Sequence, residues 1–343
     1  MKRGALPPAY LALILGATAC QRPDPGADTV EITIPPRATW NATLDTLTAR
    51  GIVRSRLLFD IVGRVRKVPA NLKTGTYEIR PHERYAVIID VLTTGRGREL
   101  RLVVPEGLML SEIAAIVERT LAIPRDSFEA AARDRELLAA FGIPAPTLEG
   151  YLYPETYHVP DGIDARRLVR LMIDEFESQW EPSWANRLET LDLTRHQLVT
   201  FASIVEGEVR VPEDRPFVSA VYHNRLRIGM PLQADPTVIY ALGTRRRLFE
   251  RDYRIEHPYN TYRIPGLPPG PIGSPGRASI EAALYPGDAP YLFFVAQPDG
   301  KHIFSRTLAE HNRARAQVRE MQRAPSRRPA AAAGQPREDP ARQ

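Results

Sequence analysis

Two glutamates, Glu206 and Glu208, stand at the end of a segment, 198–209, whose apolar residues recur at helical spacing. Leu198, Phe201, Ala202, Val205 and Val209 form one stripe, and Thr194 with Gln197 reads as a capping box that starts the helix. At about 100° per residue, Glu206 lies just off one edge of that stripe and Glu208 off the other, so the two cannot share a face. A carboxyl bordering a buried cleft has its pKa raised by desolvation, and a proton held near neutral pH is what a general acid donates. Asn224, Arg225, Gln233 and Asp235 follow within about thirty residues, a set suited to a polar ligand with many hydroxyls and amides.

The elements around these residues can be read from local signals. A break at Pro212 precedes a second helix, with Asp214 expected as its cap and Pro216 in its first turn. That helix carries Phe217, Val218, Val221, Tyr222 and Leu226 inward and ends near Asn224 and Arg225, running into a polar loop at 233–236. Farther on, Pro258 to Tyr262 leads to a Pro- and Gly-rich stretch, 266–273, whose backbone is fixed in advance; it is expected to form the rim of a cleft. Upstream, LEGYLYPETY places Tyr151, Tyr153 and Tyr157 beside Glu149 and Glu155. This pattern suits a sugar-binding wall and equally a half-buried strand with packed tyrosines.

The segments SIVEGEV, VYHNRLRIGMPLQADPTVIYALG, YNTYRIPGLPPGPIGSPG and LEGYLYPETY, taken together, resemble the YceG/MltG-like family of endolytic murein transglycosylases over about Val30 to His311. The resemblance implies cleavage of peptidoglycan glycan strands, with the glutamate of the SIVE segment, Glu206, as catalytic acid. Glu208 is its main rival. The candidate substrate contacts are Glu149, Tyr153, Glu208, Asn224, Arg225, Gln233, Asp235, Asn260 and Tyr262. Asn260, Gly266 and Pro269 match the family pattern, and Asp235 is alternatively a stabiliser of positive charge at the reacting carbon.

Most glycosidases flank the scissile bond with two carboxyls, about 5–5.5 Å apart when retaining and 6.5–9.5 Å when inverting. Two glutamates on opposite sides of one helix cannot form such a pair. A lytic transglycosylase needs only one carboxyl, because the C6 hydroxyl of the muramic sugar is the nucleophile and leaves a 1,6-anhydro end. Two rival readings stand beside this one. The first is a non-catalytic peptidoglycan-binding scaffold for cell-wall synthases. The second is a glycoside hydrolase with a distant second acid such as Glu149 or Asp235. Serine hydrolysis is poorly supported, since no G-x-S-x-G occurs and Ser203 lies inside the helix.

The expected fold class is α+β: a small LysM-like subdomain, then a mixed α+β lytic transglycosylase domain with a C-terminal hairpin. The expected divisions are 1–27 (signal or membrane anchor with linker), 28–105 (LysM-like, a glycan-binding fold by resemblance), 106–145 (connecting helices), 146–321 (catalytic) and 322–343 (disordered tail). Its 343 residues allow about two domains, and 43% hydrophobic with 25% charged residues is an ordinary globular composition. Of the net charge of +5, the segment 322–343 supplies +3, so the body is near balance and no nucleic-acid partner is expected. Cys20 is the sole cysteine and the seven histidines lack ligand spacing; neither metal nor cofactor is expected. Lys2 and Arg3 before the apolar run 5–19, closing on small residues and Cys20, read as an anchor or a lipoprotein signal. Either tethers the body to the inner membrane on its periplasmic side. Peptidoglycan strands are the expected partner, with peptidoglycan synthases implied by the resemblance.

Overall fold

The computed structural model describes residues 28–95 and 99–323. The segment expected as a signal or anchor, Cys20 and most of the segment expected as a tail lie outside the described residues. The expected α+β class holds: many helices accompany three separate two-stranded antiparallel sheets among the described residues. The chain divides into two compact units, residues 1–203 with 270–277, and residues 204–269 with 278–343.

The first unit opens with β1 (Val30–Ile34), α1 (Trp40–Ala49), α2 (Arg56–Val65), α3 (Val68–Asn71), β2 (Gly75–Ile79) and α4 (Tyr85–Thr94). The Thr39 hydroxyl accepts from the Ala42 amide and Ser55 from Leu58, so side-chain caps fix the starts of α1 and α2. Gly95, left-handed at φ 74°, closes α4. β1 and β2 pair antiparallel with Val30 opposite Ile79. The alternation of β1 turns Ile32 and Ile34 onto Leu44, Leu47, Phe59, Tyr77, Ile88 and Leu92, a core of its own. Gly63 gives α2 its close approach to α1, since a Cβ there would overlap the Trp40 indole.

The same unit continues with β3 (Glu99–Val103), α5 (Leu110–Leu121), α6 (Arg125–Ala131), α7 (Arg135–Ala140), β4 (Thr156–Pro160), α8 (Ala165–Ser178), α9 (Trp184–Leu191) and α10 (Arg195–Glu208). The last turns of α10 belong to the second unit. α6 and α7 are separate helices: Asp134 starts the second, its carboxylate accepting from the Glu136 and Leu137 amides. LEGYLYPETY is interior: Tyr151, Tyr153 and Tyr157 are buried, Tyr151 edge-on to Phe176 and Tyr157 donating to the Tyr153 carbonyl.

The second half of the Pro-Gly stretch, from Gly270, is also interior rather than a rim. Ser274 exchanges backbone hydrogen bonds with Gly107 and Leu108 at 2.7 and 2.9 Å, and the Ser203 hydroxyl accepts from the Ile272 amide. A rigid, pre-bent backbone is used here to pair with the β3–α5 connection, which needs glycines for close approach.

The second unit holds α11 (Arg215–Arg227), α12 (Asp235–Leu242), α13 (Arg277–Leu284, from Ala278 onward), β5 (Phe293–Ala296), β6 (His302–Ser305) and α14 (Leu308–Arg323). β5 and β6 form the expected hairpin, turned by Gly300 in the left-handed region. Asp214 does not cap α11 with its side chain; its carboxylate instead accepts from the His302 amide at 2.6 Å and from its Nδ1 at 2.9 Å, tying α11 to the hairpin. The loop expected at 233–236 is the start of α12, with Asp235 and Pro236 in the first turn and Gly243 closing it.

The tight junction at Gly150 gives a test. Its φ is +81° and a Cβ would overlap the Pro271 ring, whereas Gly142, at +61°, faces open space. Gly150→Ala should destabilise by on the order of 2–4 kcal/mol, through left-handed strain plus overpacking, and lower Tm by several degrees. Gly142→Ala should cost about 1 kcal/mol; equal shifts in a thermal melt would refute this packing.

Candidate active site

The capping box forms as expected: the Thr194 amide donates to the Gln197 side chain at 2.8 Å and the Gln197 amide donates to Thr194 Oγ1 at 3.2 Å. It fixes where α10 starts. Two residues apart on a helix means about 200° of rotation, and the two carboxyls accordingly meet different neighbours.

Glu206 is nearly buried, its side chain 9% exposed, and one carboxylate oxygen lies 3.8 Å from Nη2 of Arg215. Arg215 is supplied by the first turn of α11. This is a mostly desolvated ion pair, with the acid held beside a cation.

Glu208 sits in a different environment. Tyr222 on α11 donates its hydroxyl to Glu208 Oε1 at 2.8 Å, and the Asp235 backbone amide, at the head of α12, also donates to the carboxyl. Burial, with the Asp235 carboxylate adding to it, pushes the Glu208 carboxyl up to about 7. The Tyr222 hydrogen bond, the Arg225 guanidinium and the Asp235 amide oppose that rise without cancelling it. Burial and the adjoining Glu208 carboxyl together push the Tyr222 phenol well above its ordinary range, so it stays a hydrogen-bond donor.

Asp235 itself is exposed, with its oxygens held by two phenols: Tyr262 donates at 2.6 Å and Tyr253 at 3.5 Å. The two rings meet edge to face at 4.7 Å. Burial first, then the charge of Asp235, raises the Tyr262 phenol. Gln233 is exposed beside Asp235, with a left-handed φ of 51° that turns its backbone into α12. Tyr240 and Tyr259 pack 4.7 Å apart on the same unit and are half-buried, leaving ring surface to solvent.

The turn into α12 is locked by threonines. Thr237 Oγ1 donates to the Ala234 carbonyl at 2.7 Å, so Thr261 Oγ1, 2.9 Å away, donates to Thr237 and accepts from the Ala234 amide. Asn260 and Arg225, both foreseen as ligand contacts, are buried and hold backbone. Asn260 Nδ2 donates to the carbonyls of Tyr253 and Ile255; Arg225 donates to those of Leu232 and Leu292. Asn224 is bound to the carbonyls of Ala289 and Tyr291.

Of the foreseen residues, the structure thus gathers Glu208, Asp235 and Tyr262 around one point, with Gln233 exposed beside Asp235 and Arg225 underneath. Glu149 and Tyr153 belong to the first unit, where they are buried. Glu149 accepts from the Leu110 amide at 2.9 Å, and Tyr153 rests edge-on against Phe176. Tyr222 and Tyr253 complete the cluster and were not foreseen as site residues. Tyr222 is masked in sequence by its place in an apolar stripe; Tyr253 had a signal, since three tyrosines fall at 253, 259 and 262 beside Pro258. No group of His, Cys, Asp and Glu able to hold a metal occurs among the described residues.

The chain was compared with known proteins. An endolytic murein transglycosylase from Bacillus subtilis is 32% identical over 304 residues, covering 84% of each chain. One from Streptococcus pneumoniae is 28% identical over 317 residues, and there the match spans 83% of this chain but only 57% of the relative. A crystal structure of a yceG-like protein from Listeria monocytogenes superposes with a TM-score of 0.58 at 31% identity, covering 84% of this chain and 99% of that one. The pattern of the YceG-like family runs through residues 32–317, and with that span and these relatives the chain belongs to the YceG-like family.

Proposed function

We propose that this protein is an endolytic peptidoglycan lytic transglycosylase, cutting the bond between N-acetylmuramic acid and N-acetylglucosamine within glycan strands. The observation that carries the proposal is the buried Glu208 carboxyl, its pKa raised to about 7 beside the exposed, phenol-held Asp235. The relatives' activity supports the substrate class.

In this reading Glu208, rather than Glu206, is the acid. Glu206 is held against the Arg215 cation, whereas Glu208 is desolvated and faces another carboxylate, the environment that keeps a proton on at neutral pH. The Glu208 proton passes to the glycosidic oxygen as the bond from C1 of the muramic sugar breaks. The C6 hydroxyl oxygen of that sugar then bonds to C1, and its proton returns to Glu208. No water is consumed, and the product is a 1,6-anhydro end. Asp235 stabilises positive charge developing at C1, while Gln233 and Tyr262 orient the sugar's amide and hydroxyls. Tyr222 holds the acid in place.

The role in ending strand growth beside peptidoglycan synthases, the glycan-binding LysM-like reading of the N-terminal subdomain, and the membrane tether of residues 1–27 belong to the same proposal and rest on family resemblance. Among the described residues no helix is long and apolar enough to cross a membrane.

Mass spectrometry of purified sacculi digested in ¹⁸O water tests the proposal. Anhydro-ended fragments without ¹⁸O are expected from the wild type, and Glu208→Gln should lose about 10²–10⁴-fold in rate. Glu206→Gln should retain more activity than Glu208→Gln; the reverse order would return the acid role to Glu206. Reducing ends carrying ¹⁸O would mean hydrolysis, and no cutting by folded wild type would favour the scaffold reading.

The pH dependence gives a second prediction. A raised acid must be protonated to act, so activity should fall as pH rises through about 7. Removing the Asp235 charge removes one of the causes of the rise. The descending limb of a pH–rate profile for Asp235→Asn should therefore move to lower pH, whatever the loss in maximal rate; an unmoved limb would uncouple the two carboxyls.

A further inference from the structure

The helix α2 carries an apolar face that the fold leaves uncovered. Its inward side is Phe59 and Gly63, both buried. On its other side Leu57 is 69% exposed, Val65 58%, Ile61 40% and Leu58 39%. At about 100° per residue, these four fall within an arc of about 100°, with Arg64 on one border. The flanking chain is strongly basic. From Arg50 to Lys73 there are seven cations, Arg50, Arg54, Arg56, Arg64, Arg66, Lys67 and Lys73, against the single acid Asp60, and all seven are exposed. This stretch of +6 exceeds the +5 of the whole chain. Within it Arg56 pairs with Asp45 and Arg64 with Asp60, each at 2.8 Å.

We propose that α2 is a membrane-surface helix, lying with Leu57, Leu58, Ile61 and Val65 in the headgroup–acyl boundary of an anionic phospholipid bilayer. Charge complementarity chooses this occupant. An exposed apolar arc on a helix set in a stretch of net charge +6 is the make-up of an interfacial amphipathic helix, and each basic residue near an anionic surface adds to binding. Arginine and lysine stems can lie along the apolar boundary while their charges reach the phosphates. The apolar run 5–19, expected as a membrane anchor, lies upstream of this helix in the same chain. The contact would hold the N-terminal subdomain against the membrane rather than leave it swinging on a linker.

The test uses the full chain with Cys20→Ser, reconstituted into vesicles of phosphatidylcholine with about one third phosphatidylglycerol. A nitroxide is attached in turn at Ile61→Cys, Val65→Cys and, as a control on exposed β2, Glu78→Cys. Paramagnetic relaxation should show the labels at 61 and 65 more accessible to oxygen than to a water-soluble nickel complex, and the label at 78 the reverse. Replacing Arg64, Arg66 and Lys67 by Gln should remove that difference. Equal water accessibility at 61, 65 and 78 would overturn the proposal. So would spin–spin broadening between copies at 61 or 65, which would give the face to a second chain, or unchanged depth in pure phosphatidylcholine. The readout needs no glycan cleavage, so its failure and a failure of the proposed activity are separable.

Discussion

Desolvation of one carboxyl is the constraint on which the second unit is organised. Moving a glutamate out of water raises the cost of its charge, and the structure meets that cost incompletely: one phenol, one amide and one guanidinium against burial and a second acid. The result is a group poised between its two protonation states near neutral pH. Glu206, two residues away on the same helix, meets a different neighbour, the Arg215 guanidinium at 3.8 Å.

Most of the polar chemistry around that carboxyl serves to hold it and its neighbours still. Arg225, Asn224 and Asn260 look like ligand-binding residues by type, yet each uses its donors on backbone carbonyls of irregular chain. The Thr237–Thr261 pair likewise fixes the turn that delivers Asp235. Irregular segments carry many backbone groups that helices and strands would otherwise satisfy, so buried side chains must supply the partners. That rigidity keeps Asp235 where its charge acts on Glu208 and its two phenols.

Local signals made much of the fold legible. The Thr194–Gln197 box acts over four residues and the helix starts where it is expected, as the C-terminal hairpin also forms where it is expected. Other features depend on partners far along the chain. Helical periodicity puts both Glu206 and Glu208 at the edge of a stripe, but which one becomes buried beside an acid is decided by Tyr222 and Asp235. The start of α12 was hidden because Asp-Pro serves equally in a turn and in a first helical turn. The tyrosines at 151, 153 and 157 in LEGYLYPETY fit a sugar-binding wall or a packed interior, and the presence of Phe176 and His196 opposite makes them interior.

The account turns on the protonation state of Glu208, and the direct measurement is a titration of its side-chain carboxyl carbon by NMR. Selectively ¹³C-labelled glutamate would be used, with the resonance assigned by its loss in Glu208→Gln. The account predicts a midpoint at about 7, well above the ordinary glutamate range. A midpoint between about 4 and 5 would contradict it, because the carboxyl would then be ionised at neutral pH with no proton to give.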